Sequence, residues 1–219
     1  MRYSEFVTEY DRNSDNSKQI FKRLQQLGYS MLGGGVDATV WAKDEGHVIK
    51  ILMPSTDNET ADSAFIFFYD ICKDNEQNQF LPKFIDIGGA HHTVFEINGT
   101  PYRQIAMERL QPLKHGSPEE AMIWILSDLA EIAFLKWSDA LKQIKSPKAW
   151  EHYPYGTRWQ AAAALMNNPQ SQEYYHNLFA TMQDLYREGR ASGHAWDLHT
   201  ENVMQRKDGT LVITDPYLG

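Results

Sequence analysis

The chain has 219 residues, enough for one large domain or two small lobes with real cores. It is 42% hydrophobic and 23% charged, as soluble globular proteins are, and its formal charge of −8 counts against sequence-independent nucleic-acid binding, which needs clustered Lys and Arg. Cys72 is the only cysteine, so an intrachain disulfide and a cysteine metal cluster are excluded and a reducing cytoplasm is expected; no apolar run is long enough to cross a bilayer, and Met1–Glu5 carries no signal core.

In chain order, Ser17 can cap a short helix with Ile20, Phe21, Leu24 and Leu27 on one face, ended by Gly28. Tyr29–Leu32 reads as a strand, Gly33, Gly34 and Gly35 lie in a turn that runs on to Ala38, and Thr39–Ala42, including Val40, reads as the returning strand. Glycines in such a turn let backbone N–H groups approach phosphates, although a plain hairpin turn has the same composition. His47–Leu52 is an apolar strand interrupted by Lys50. A lysine there is either a charge that protects a sheet edge or a functional group.

Asn58–Lys73 reads as a helix with Ala61, Ala64, Phe65, Phe68 and Cys72 on one side, and Phe84–Ile87 as a strand. His91-His92 is not a metal site, because adjacent side chains on a strand face opposite ways. Thr93–Ile97 and Tyr102–Met107 flank Asn98-Gly99, the clearest hairpin signal in the chain. Ser117-Pro118-Glu119-Glu120 has the form of a capping box opening a long helix with Met122, Ile125, Leu126, Leu129, Ile132 and Ala133 inward. Ser146–Arg158 reads as an aromatic loop, and Gln172–Arg187 as a helix stopped by Gly189.

The last stretch carries the chemistry. Val203-Met204 and Leu211–Ile213 flank Lys207-Asp208-Gly209 and predict a β-hairpin, so the residues just before and just after it meet at one edge. Asp197, Asn202 and Asp215 stand there, and one carboxylate with the amide oxygen, the second carboxylate close by, suits a hard cation such as Mg²⁺. The remaining carboxylate is free to accept a proton.

Asp197-Leu198-His199, Asn202 and then Asp215 resemble the catalytic loop and metal-binding Asp of the protein-kinase-like superfamily, which includes aminoglycoside phosphotransferases. The resemblance implies that Asp197 is the catalytic carboxylate and that Asn202 and Asp215 are metal ligands. It also implies that Lys50 contacts phosphate, with Glu59, Asp62 and Asp70 competing to hold it. His199 stands where protein kinases usually carry Lys and small-molecule kinases often carry His. Gly33, Gly34, Gly35 and Val40 would cover the nucleotide, and Met107-Glu108-Arg109-Leu110 resembles the hinge whose backbone binds adenine. Two places depart from the pattern: Ala195 replaces the usual His before the catalytic Asp, and Pro216-Tyr217 replaces Phe-Gly after the metal-binding Asp.

The implied fold is α+β and bilobal, with a small antiparallel-sheet lobe over residues 1–110 and a reduced, mostly helical lobe over 111–219. The chain runs four residues past Asp215, which makes the expected plan that of a minimal kinase, similar to small bacterial effector or phage-encoded kinases. The expected activity is ATP- and Mg²⁺-dependent phosphotransfer to a hydroxyl, with a Ser/Thr protein substrate favoured. The alternatives are a small-molecule kinase, AMP transfer on the same scaffold, or a silent binding module. Lys50 and the Asp197–Asn202–Asp215 set are expected on opposite walls of one cleft. No nucleic-acid or membrane partner is expected, and the oligomeric state stays open.

Overall fold

Alternation along His47–Leu52 decides how the first part of the chain packs. In a computed structural model of the chain, residues 14–34, 38–52, 60–86, 92–146 and 156–218 are described. The described residues form two compact units, one of those within 14–77 and 82–109, the other of those within 78–81 and 110–218.

The first unit is built on an antiparallel sheet. Helix α1 (Asp15–Gln26) leads to β1 (Ser30–Gly34), β2 (Ala38–Ala42), β3 (His47–Leu52), helix α2 (Thr60–Asp74), β4 (Phe84–Ile85), β5 (His92–Ile97) and β6 (Thr100–Glu108). The strand order is β1-β2-β3-β6-β4, with β5 also on β6. Strand β3 is therefore paired on both sides, with β2 and with β6, so Lys50 is not an edge charge. Facing residues of an antiparallel pair point to the same side, so the register sorts the core. Trp41 opposite Ile49, and Ile49 opposite Ala106, pack with Ile20, Leu24, Ile51 and Tyr102. The other face carries Val40 opposite Lys50 and Val48 opposite Met107, with Phe84 and the α2 side chain Phe65.

Helix α1 starts two residues before the expected cap: Ser14 is its N-cap, accepting from the Ser17 N–H, and Ser17 is buried inside the helix. Two serines three apart compete for the role, and burial of Ser17 decides it. The Asn98-Gly99 turn joins β5 to β6 as expected. Strand β4 ends at Ile85, short of the expected Phe84–Ile87, and Ile87 lies outside the described residues, as does His91.

The second unit holds β7 (Gln111–Pro112), helices α3 (Pro118–Ala130), α4 (Trp137–Ile144), α5 (Gly156–Leu165) and α6 (Pro169–Ala191), then β8 (Ala195–Trp196), β9 (Val203–Gln205), β10 (Leu211–Ile213) and β11 (Tyr217–Leu218). Ser117 caps α3 as the sequence predicts, accepting from the Glu120 N–H, with Pro118 in the first turn. The helix stops at Ala130, so Ile132 lies in a turn and is 45% exposed, against the expectation of a longer core helix. Helices α4 and α5 were not expected; of the aromatic-loop reading, residues 147–155 lie outside the described residues. Helix α6 runs through Gly189 and ends before Gly193, whose φ of 84° only glycine adopts cheaply. The segment Asn78–Leu81 is held here by Ile213 N–H to Phe80 O (2.9 Å), Asn78 Nδ2 to Thr181 Oγ1 (3.0 Å) and Arg206 Nη2 to Leu81 O (3.0 Å).

The α+β class and the order of glycine hairpin, lysine strand, helix, hairpin and helices follow the kinase-like resemblance.

Candidate functional site

Of the residues singled out in the first unit, Gly33, Val40, Lys50 and Met107 share one face of its sheet. Gly33 pairs with Val40, Val40 with Lys50, and Met107 sits two positions beyond the Lys50 partner Ile105. Lys50 is 9% exposed, and its Nζ lies 3.4 Å from the centroid of the Phe65 ring. A desolvated ammonium over an aromatic face is held by the ring quadrupole, so packing as well as charge places it. Glu108 closes β6: its N–H donates to Lys83 O (2.9 Å) and its Oε1 accepts from the Lys83 N–H (2.8 Å). The Glu108 N–H is thus committed within the chain. Gly35 and Glu59 lie outside the described residues, as does the side chain of Asp62, while Asp70 is exposed on α2.

The second unit gathers Asp197, His199, Asn202 and Asp215. The hairpin of β9 and β10 pairs Val203 with Ile213, and the ladder extends past it through Thr214 N–H to Asn202 O (2.8 Å). Two residues further, Pro216 O accepts from the Asp197 N–H (2.8 Å), where β8 and β11 begin their own pairing. Asp215 therefore sits between two backbone bonds, one neighbour tied to Asn202 and the other to Asp197. Asn202 Nδ2 donates to Asp197 O (2.8 Å), which completes the ring of contacts. Leu198 is buried, and its carbonyl accepts from Ser127 Oγ of α3 (2.6 Å), fixing the middle of the loop. Leu110, expected at the hinge, is a buried residue of this unit.

His199 lies across the group. Its Nδ1 is 3.2 Å from the Glu201 N–H nitrogen, and its Nε2 is 3.1 Å from Asn202 Nδ2 and 3.7 Å from Asp197 Oδ2. Burial pushes the Asp197 carboxyl above the usual carboxylate range; the charge of Asp215 adds to this, while His199 and Asn202 offset part of it. A cation beside Asp197 and Asp215 would offset the repulsion between their charges. Among the described residues no group of three or more His, Cys, Asp and Glu could hold a metal ion by itself. One carboxylate and one amide oxygen, those of Asp215 and Asn202, are ligands of the kind a hard ion takes, with the Asp197 carboxylate left over.

Sequence reasoning found these four residues and missed what holds them. Ser127, Thr214 and Pro216 bind through backbone groups or a hydroxyl, and no residue pattern marks them.

No family model matches the chain, and no curated protein matches it. Among solved structures it is similar to an amicoumacin kinase solved with AMP-PNP and Ca²⁺ (11% identity, TM-score 0.44, 92% of this chain and 64% of that one). It is similar to a microcompartment-associated aminopropanol kinase (12%, 0.42, 90% and 68%). A third is an aminoglycoside phosphotransferase from Alicyclobacillus acidocaldarius (14%, 0.35, 86% and 62%). The chain spans 62% to 68% of the length of these three. In the order of its elements, and in gathering Asp197, Asn202 and Asp215 at one end of a hairpin, the chain resembles the protein-kinase-like superfamily.

Proposed function

We propose that the chain is an ATP-dependent phosphotransferase that moves a γ-phosphoryl group to a hydroxyl. The observation that carries the reading is the seat of Asp215, flanked by backbone hydrogen bonds that tie Thr214 to Asn202 and Pro216 to Asp197. In this reading Asp197 accepts the hydroxyl proton, and its raised affinity for a proton suits a general base. Asn202 and Asp215 would hold Mg²⁺, whose charge, when bound, offsets the charge on the phosphoryl oxygens. Lys50, Val40, Gly33 and Gly34 would serve the nucleotide, with Gly35 beside them, and Met107 to Leu110 its base. Positioning and charge stabilisation then supply most of the acceleration.

The acceptor we propose first is a protein Ser or Thr. The run Asp197-Leu198-His199 favours a second reading, a small-molecule hydroxyl. Among the described residues no helix is long and apolar enough to cross a membrane. A reducing cytoplasm is the proposed setting, with Cys72 buried and its thiol pushed up by that burial.

Incubation with γ-labelled ATP, Mg²⁺ and a cell lysate tests the reading. Label on protein supports the first acceptor, and label on metabolites the second. No label, with ATP still bound, replaces phosphotransfer by a binding role. In calorimetry, Asp215→Ala is expected to weaken ATP binding in the presence of Mg²⁺ and to leave the metal-free titration unchanged.

A further inference from the structure

Helix α6 carries Gly189 near its end, although glycine is among the poorest helix formers. The space left by its missing side chain is filled. A Cβ there would stand 2.4 Å from Tyr217 Cε1 and 3.0 and 3.1 Å from Cδ1 and Cζ. Tyr217 is 4% exposed, and its hydroxyl donates to the Leu185 carbonyl (2.7 Å), one turn earlier on the same helix. Its backbone pairs with Trp196, and Gly189 O in turn accepts from the His194 N–H (2.9 Å). Ring, hydroxyl and ladder thus close a loop that starts on α6, passes through β8 and β11, and returns to α6. Asp197 follows β8 directly, and Pro216 alone separates Asp215 from β11.

We infer that Tyr217 seated on Gly189 is a clamp that sets the spacing of Asp197 and Asp215, which makes Tyr217 a positioning residue. The inference rests on the proposed roles of these two carboxylates, and it deepens that reading. In this reading Asp215 has one seat, because Pro216 is tied to the Asp197 N–H and Tyr217 to the helix.

Three variants test the clamp by kcat and KM, by Tm, and by hydrogen exchange at the Asp197 amide. Tyr217→Phe loses only the hydroxyl and should keep kcat within about tenfold of wild type. Tyr217→Ala and Gly189→Ala should both lower kcat by about 10²-fold with little change in KM, because the reacting groups are displaced while the substrate sites remain. Gly189→Ala is the sharper variant, since alanine favours the helix itself and a loss cannot come from a weaker helix. In it the Asp197 amide should lose protection while Tm stays near wild type. A Gly189→Ala protein with wild-type kcat and a protected amide overturns the clamp, as does a kcat loss matched only by a fall in Tm. If the wild-type chain transfers no phosphate, exchange still decides. Lost protection in Gly189→Ala keeps the clamp and removes the phosphotransfer reading, and retained protection removes the clamp.

Discussion

The two units place their polar groups by different means. Lys50 is set by packing: a strand paired on both sides puts it on the face lined by Val40, Val48 and Met107, and Phe65 receives its ammonium. Asp197, Asn202 and Asp215 are set by backbone hydrogen bonds, with Thr214 to Asn202 on one side and Pro216 to Asp197 on the other. Packing holds a long flexible side chain because contact along its stem is what restrains it. Short side chains have little stem to grip, so their position is that of the backbone that carries them.

Breaking each arrangement should therefore look different. The largest effect is expected from Asp197→Asn, which keeps the backbone bonds and removes the base; phosphotransfer should fall by about 10²–10⁴-fold with ATP affinity unchanged by calorimetry. Phe65→Ala attacks the packed side. It should cost about 3–5 kcal/mol in a denaturant titration, since a large buried ring is lost, and an exposed ring at this position would have shown almost no cost. Lys50→Met separates packing from charge: a chain of similar length keeps Tm at or above wild type, while phosphotransfer drops by about 10²-fold. A Tm clearly lower than wild type would mean that the ammonium itself, and not its stem, holds this face together.

The smallest effect concerns pH. Burial holds the Asp197 carboxyl above its usual range, so the folded chain binds that proton more tightly than the unfolded chain does. Stability from this group is then lost as pH rises from the ordinary carboxylate range through the raised value, and is level above it. Asp197→Asn lacks the titration. Its Tm should match wild type at the acid end of that window and exceed it slightly at neutral pH, the difference being small because Asp197 is partly exposed. A constant Tm difference across the window would show that the carboxyl is not perturbed.

Much of the first unit could be read in advance. The apolar strand around Lys50, the Asn98-Gly99 turn and, in the second unit, the Ser117 cap each depend on neighbours within a few residues, and each appears where the residues predict it. Helix α4 escaped because its short face is defined by what covers Ala140 and Ile144, not by a cap: Lys136 makes no side-chain capping bond. Gly189 was misread as a stop for the opposite reason. A local rule ends helices at glycine, and only the Tyr217 ring explains why this glycine lies within one.

What the residues determined by themselves is the set of groups present and the local elements that carry them: a lysine on a strand, and Asp, Asn and Asp around a hairpin. Tertiary structure alone decided that β3 is an interior strand, that Asp215 is held from both sides, and that Tyr217 rests on Gly189. Local preferences arise from sterics and hydrogen bonds a few residues apart, which a sequence displays directly. The contacts that seat the carboxylates join segments distant in the chain through backbone atoms common to every residue type, and these leave no mark in a sequence until it folds.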